Sequence, residues 1–74
     1  MQNFFSKPTP QKVAEYIYST IIFVHETGGK QYRYSIPQDF SNSFVDSVIE
    51  ILGERLLDVD IIEKINGYIL IDWS

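Results

Sequence analysis

An Asn66-Gly67 dipeptide separates two runs rich in β-branched residues near the end of the sequence. Asn-Gly is the strongest short-range sign of a β-hairpin, because a type I′ turn needs positive φ at both central residues. The sequence therefore predicts two antiparallel strands within residues 56–73, and a two-residue turn places Ile65 opposite Tyr68. The alternative is a helix that ends at this glycine, since the apolar residues before it also fit helical spacing.

Both faces of the predicted hairpin carry apolar side chains, because residues alternate between the faces of a strand. One face holds Val59, Ile61, Ile65, Tyr68 and Leu70, and the other holds Ile62, Ile69, Ile71 and Trp73. A sheet with one solvated face would alternate apolar and polar residues. We therefore expect both faces to be covered, by helices or by an N-terminal arm. The alternative is that one face, with Trp73 near its edge, binds a partner or a second copy of the chain.

Residues 41–56 have the pattern of an amphipathic helix with a Ser41 N-cap. Its apolar face consists of Phe44, Val45, Val48, Ile49, Leu52 and Leu56. An acidic stripe follows the other side at a spacing of four residues and consists of Asp46, Glu50 and Glu54. Gly53 is unfavourable inside a helix. It predicts either the close approach of another element or an early end to the helix.

The first half of the chain predicts a helix and two strands. Thr9-Pro10 is a helix start, so we expect a helix near 10–18. The β-branched run that follows favours a strand near 20–26, and Thr27–Lys30 then forms a turn to a strand at 31–36. A helix that continues to Gly28 is the alternative, because Ile17, Ile21 and Val24 keep helical spacing.

The predicted fold is a small single-domain α+β protein of order α-β-β-α-β-β, with an antiparallel sheet of hairpins packed on the 41–56 helix. A chain of 74 residues without cysteine has room for one domain and cannot form a disulfide. We assign residues 9–74 to this domain and residues 1–8 to a flexible or docking arm. Phe4 and Phe5 in that arm are expected to fold back onto an open sheet face, or to dock on a partner.

No pattern in the sequence predicts catalysis, a metal site or a cofactor. His25 stands alone beside Glu26, and a structural role is expected for it because a general base needs its target within hydrogen-bond reach. Thr27–Lys30 lacks the first glycine and the Ser/Thr of a phosphate loop. Three acidic residues at 58, 60 and 63 fall on opposite strand faces, so they predict a charged sheet edge rather than a cation site.

The acidic charge is concentrated in the second half of the chain. Residues 1–37 carry four basic and two acidic side chains, whereas residues 38–74 carry two basic and eight acidic ones. Phosphate backbones need clustered positive charge, so a basic protein surface is the better partner. No signal peptide or long apolar run is present, which predicts a cytoplasmic protein that does not enter a membrane.

We therefore expect a non-enzymatic protein-binding domain, a small acidic inhibitor or adaptor of the kind that phages and mobile elements use against host factors. The partner-binding residues predicted for it are Asp46, Glu50, Glu54, Tyr68 and Trp73. One alternative is a homo-oligomeric structural subunit, such as a homodimer, that uses a sheet face as its interface. Another is a single-strand nucleic-acid binder that stacks bases on Tyr32 and Tyr34.

Overall fold

A computed structural model describes residues 8–73, which form two helices and a three-stranded antiparallel sheet. The elements are α1 (Pro10–Glu26), β1 (Gln31–Ser35), α2 (Asn42–Arg55), β2 (Ile61–Ile65) and β3 (Tyr68–Asp72). The α+β class and the antiparallel sheet packed on the second helix are confirmed. Residues 1–7, with Phe4 and Phe5 of the predicted arm, lie outside the described residues.

The last strand, β3, occupies the centre of the sheet and pairs with β1 on one side and β2 on the other. The predicted hairpin register is confirmed, with Ile65 opposite Tyr68 and Ile62 opposite Ile71. On the other side Tyr32 also lies opposite Ile71. Since both flanking strands are antiparallel to β3, they are parallel to each other, and α2 is part of the connection between them.

The strand predicted at 20–26 is wrong, because this run is the second half of α1. The helix starts as predicted, with the Thr9 hydroxyl accepting a hydrogen bond from Lys12 N at 3.2 Å and proline in the first turn. β-branched residues cost only about 0.5 kcal/mol each in a helix. Full burial of Ile17 and near-full burial of Ile21 outweigh that cost. A single strand therefore precedes α2.

Two consecutive glycines end α1 instead of forming the predicted hairpin turn. Gly28 has φ of +93°, and its N–H donates to His25 O at 3.0 Å, while Gly29 N donates to Val24 O at 2.8 Å. These two bonds are those of a Schellman motif. Gly29 is required for a second reason, because a side chain there would collide with Val24.

Both helices pack on the same face of the sheet, and the core lies between them and β3. The buried residues are Val13, Ala14, Ile17 and Ile21 of α1, Val45, Val48 and Leu52 of α2, and Ile69 and Ile71 of β3. The opposite face of the sheet is left uncovered by the described residues. Neither helix in residues 8–73 is long and apolar enough to cross a bilayer.

Three local predictions need correction. Gly67 has φ of +88°, but no residue other than glycine has positive φ in the described chain. The turn is therefore not type I′, which would require positive φ at Asn66 as well. Val59 packs against the core cluster rather than on the open side of the sheet, because β2 begins only at Ile61. Gly53 does not end α2, and no other element approaches within 4 Å of the position that its side-chain carbon would take.

We expect Gly67→Val to lower the free energy of unfolding by about 1–3 kcal/mol, because a β-branched residue is strained at positive φ. Apart from its chain neighbours, no described atom lies within 4 Å of a side-chain carbon at this position, so the cost is conformational rather than steric. Asn66→Ala is the matched control and should change stability by less than about 0.5 kcal/mol. Urea unfolding of both variants measures this, and a larger loss for Asn66→Ala would contradict the turn geometry.

Candidate functional site

The five predicted partner-binding residues lie on three separate surfaces of the molecule. Asp46, Glu50 and Glu54 form the acidic face of α2, on the side of the helix away from the core. Tyr68 lies on the uncovered side of the sheet, with the helix layer and the sheet between it and the acidic face. Trp73 lies beyond the end of β3, near the end of α1. The structure therefore does not bring these five residues together on one surface.

The acidic face of α2 is held on a well-anchored helix. Ser41 caps the helix as predicted, with its hydroxyl accepting a hydrogen bond from Phe44 N at 3.2 Å. Val48 and Leu52 are almost fully buried on the opposite side. All three carboxylates of the acidic face are exposed, and within residues 8–73 none of them has a cationic partner. The face therefore presents three carboxylates at fixed spacing to solvent.

A cross-helix ion pair uses the arginine that follows Glu54 in α2. Arg55, in the last turn of α2, binds the Glu15 carboxylate of α1. The same guanidinium lies over the Tyr18 ring, 5.4 Å from its centroid. Arg55 thus ties the two helices together and is turned away from Glu54. Both side chains of the pair are about half exposed, so its contribution to stability is small.

The uncovered side of the sheet is a mixed surface that we name the open sheet face. It consists of Gln31, Arg33 and Ser35 of β1, Tyr68, Leu70 and Asp72 of β3, and Ile61, Glu63 and Ile65 of β2. The register places Leu70 between Arg33 and Glu63. The Arg33 guanidinium lies 5.5 Å from the centroid of the Tyr68 ring, a cation–π contact across the face.

Trp73 has a structural position that its predicted binding role did not anticipate. Its indole Nε1 donates a hydrogen bond to Gly29 O at 3.0 Å. Its ring meets His25 edge to face, with centroids 6.3 Å apart. These contacts hold the end of the sheet against the glycines that stop α1. Trp73 is half-buried by them, so only part of the ring is accessible to a partner.

A cleft of about 480 Å³ lies beside Trp73, between the end of α1 and the loop that follows α2. Ile22 and Leu57 line it, and both are exposed, Leu57 to 82%. His25 and Asp58 line it as well, but the described residues contain no group of three or more side chains able to hold a metal ion. Sequence reasoning missed this cleft, because the only indication of it was one apolar residue, Leu57, in an acidic loop.

Tyr32 and Tyr34 face the helices rather than the open sheet face. Tyr34 meets Tyr16 of α1 edge to face, with ring centroids 6.3 Å apart. Burial raises the pKa of both Tyr32 and Tyr34 above the ordinary value, and the neighbouring Tyr16 phenol raises it further. Partial burial of both rings on the helix side leaves less ring surface on which a nucleic-acid base could stack.

The raised tyrosine pKa values predict a loss of stability in alkali. Tyr32 and Tyr34 bind their protons more tightly in the folded chain than in the unfolded chain. Their contribution to the free energy of unfolding is therefore complete below pH about 10. That contribution should be lost as pH rises through their folded pKa values. Urea unfolding between pH 8 and 11 measures it, and Tyr32→Phe/Tyr34→Phe should flatten the decline. An equally steep decline in the variant would show that these phenols are not covered.

The described residues thus offer surfaces for binding: a rigid acidic helix face, an open sheet face with an apolar centre, and a small apolar cleft. Among residues 8–73 no hydrogen bond joins a hydroxyl to the His25 ring, which meets the ring of Trp73 edge to face. Neither a protein-family model, nor a curated protein, nor a solved structure matches this chain.

Proposed function

We propose that the chain is a non-enzymatic protein-binding domain, an inhibitor or adaptor, that engages a basic protein surface through the acidic face of α2. The observation that carries this proposal is a concentration of locally unfavourable residues on one exposed helix surface. Violations of local preference that bring the fold no benefit are typical of functional surfaces.

The first unfavourable feature is repulsion between carboxylates. Asp46 and Glu50 are four residues apart, as are Glu50 and Glu54, and like charges at this spacing cost about 0.2–0.5 kcal/mol per pair. Glu54 is also the penultimate residue of α2, where the helix dipole disfavours an anion by about 0.3–1 kcal/mol. Arg55, the next residue along α2, is engaged by Glu15 and forms no ion pair with the three carboxylates.

The second unfavourable feature is Gly53, which lies next to Glu54 and one turn from Glu50. Glycine inside a helix costs about 1 kcal/mol relative to alanine. The usual reasons for a glycine do not apply at position 53. Its φ is not positive, and no other described element comes within 4 Å of the position that its side-chain carbon would take. An exposed helix without a side chain at this point permits close approach by another backbone.

A basic partner would relieve the repulsion and use the gap. Cationic side chains opposite the three carboxylates give electrostatic complementarity, which raises the association rate and selects the partner. The glycine lets the partner approach the helix closely between Glu50 and Glu54. A domain that covers a basic surface in this way inhibits or recruits its partner without chemistry of its own.

The second candidate function is a homo-oligomeric structural subunit, which the open sheet face favours. The two roles are compatible, because the open sheet face and the acidic face of α2 lie on opposite sides of the molecule. A single-strand nucleic-acid binder has less support. Its two stacking residues, Tyr32 and Tyr34, are packed under the helices, and the acidic face would repel phosphates.

Reversal of the acidic face tests the proposal. We expect Asp46→Lys/Glu50→Lys/Glu54→Lys to keep the fold, since exposed charge changes rarely cost more than about 0.5 kcal/mol. It should slow association with a basic partner about tenfold or more at low salt, and the difference should shrink as salt rises. The partner is first captured from the native host with the parent chain, and association rates are then measured by surface plasmon resonance.

An equal change of net charge elsewhere is the matched control. Glu26→Lys/Asp39→Lys/Asp58→Lys alters three exposed carboxylates on other surfaces. This variant should slow association much less than the reversal of the acidic face. Equal slowing by both triple variants would show that only net charge matters, and would contradict a binding role for α2.

Gly53→Ala separates stability from binding. The added methyl group should raise the free energy of unfolding by about 0.5–1 kcal/mol, because helix propensity improves and nothing is displaced. If a partner backbone approaches here, the same methyl group should weaken the complex. Thermal unfolding and partner affinity are measured on the same preparation, and unchanged affinity would contradict the close approach at Gly53.

A further inference from the structure

The open sheet face has the composition of an interface. Four apolar residues lie on it, Ile61, Ile65, Tyr68 and Leu70, and none of them packs against the core cluster. Ile61 is 41% exposed although it lies in a strand. In the described part of the chain no element covers this side of the sheet. Burial of this apolar centre is therefore available only from outside residues 8–73.

The charges on this face are arranged across its centre. Leu70 lies opposite Arg33 on one side and opposite Glu63 on the other. Two strand spacings, about 10 Å, separate the Cα atoms of the two charged residues, and the Leu70 side chain lies between them. Within residues 8–73 neither has an ion-pair partner. Arg33 instead lies over the Tyr68 ring, so its guanidinium is held on the open sheet face.

We propose that a second copy of the chain stacks on this face, related by a two-fold axis that runs along β3. Rotation about that axis places β1 of each protomer over β2 of the other. Arg33 of one protomer then meets Glu63 of its partner, twice by symmetry, and the two Leu70 side chains meet at the centre. A two-fold interface requires a self-complementary patch, and the Arg33 and Glu63 positions provide one. The same rotation places the two Asp72 side chains opposite each other at one end of β3, so the Arg33–Glu63 pairs carry the attraction.

The charges of Arg33 and Glu63 also disfavour the other simple stacking. A two-fold axis across the strands would place β1 over β1 and β2 over β2, which brings Arg33 against Arg33 and Glu63 against Glu63. Both axes align the strands of the two sheets, the common geometry of stacked sheets, so the charges decide between them. Stacking through the open sheet faces leaves both helix layers on the outside of the dimer. The acidic faces of the two copies therefore point away from each other and do not repel.

The expected dimer is weak. Three strands of five residues cover about 15 Å by 15 Å at ordinary strand dimensions, which is well below a standard specific interface and is typical of weak, transient association. We therefore expect a dissociation constant of micromolar order. Sedimentation equilibrium from about 1 μM to 1 mM covers the transition, and circular dichroism verifies that each variant is folded.

Complementary charge reversal tests the geometry. Arg33→Glu alone creates two repulsive pairs in the dimer, as does Glu63→Arg alone, so each should raise the dissociation constant about tenfold or more. An equimolar mixture of the two variants forms a heterodimer in which both pairs are again attractive. The mixture should therefore associate with an affinity within about threefold of the parent. Asp39→Arg, an exposed carboxylate outside both proposed surfaces, is the matched control and should leave dimerisation unchanged.

Two results would overturn the proposal. A parent chain that remains monomeric up to 1 mM would exclude the dimer and leave residues 1–7 or a different protein to cover the open sheet face. Dimerisation of the parent without recovery in the mixture would show that the copies associate elsewhere, for example through the free edge of β1. Neither result bears on the acidic face of α2, so this inference and the proposed function stand or fall separately.

Discussion

The burial of Ile69 and Ile71 in the central strand determines the rest of the structure. Both side chains are almost completely inaccessible, and they face the apolar sides of α1 and α2. Because β3 pairs with both other strands, its alternation also decides which residues of β1 and β2 face the helices. The faces of all three strands, and thus every candidate surface, follow from the orientation of these two isoleucines.

Local patterns in the sequence were sufficient to predict the elements that interactions between neighbouring residues specify. The hairpin register follows from the Asn66-Gly67 turn and strand alternation, and α2 follows from the Ser41 cap and its apolar stripe. Residues 20–26 were not predicted correctly, because their β propensity is a weak preference that burial of Ile21 overrides. The Schellman motif depends on the position of two glycines relative to a helix end, which the same dipeptide does not distinguish from a hairpin turn.

The candidate sites were less predictable, because their positions depend on which face of the sheet the two helices cover. The exposure of the acidic stripe could be predicted from its spacing along one helix. That Tyr68 lies on the opposite side of the molecule could not be predicted, since the sequence does not state which sheet face the helices cover. Tyr32 and Tyr34 were correctly assigned to one face, but the face they occupy is packed against α1, which changes their chemistry.

The two proposed surfaces have different physical characters, and the sheet separates them. The acidic face of α2 is charged, rigid and strongly dependent on salt. The open sheet face has an apolar centre, with Arg33 on one side of it and Glu63 on the other. Two copies stacked through their sheets would display two acidic faces on opposite sides, so the assembly would bind a partner with repeated basic surfaces more tightly than one copy does.

The place of β3 at the centre of the sheet has a consequence for how the chain folds during synthesis. β1 and β2 do not pair with each other, and the strand that joins them is the last element along the described chain. Until β3 has left the ribosome, both strands expose unpaired backbone edges and the helices lack the surface on which they pack. Folding is therefore delayed until residues 68–72 have emerged from the ribosome, and a nascent chain stalled before this point exposes both edges to aggregation.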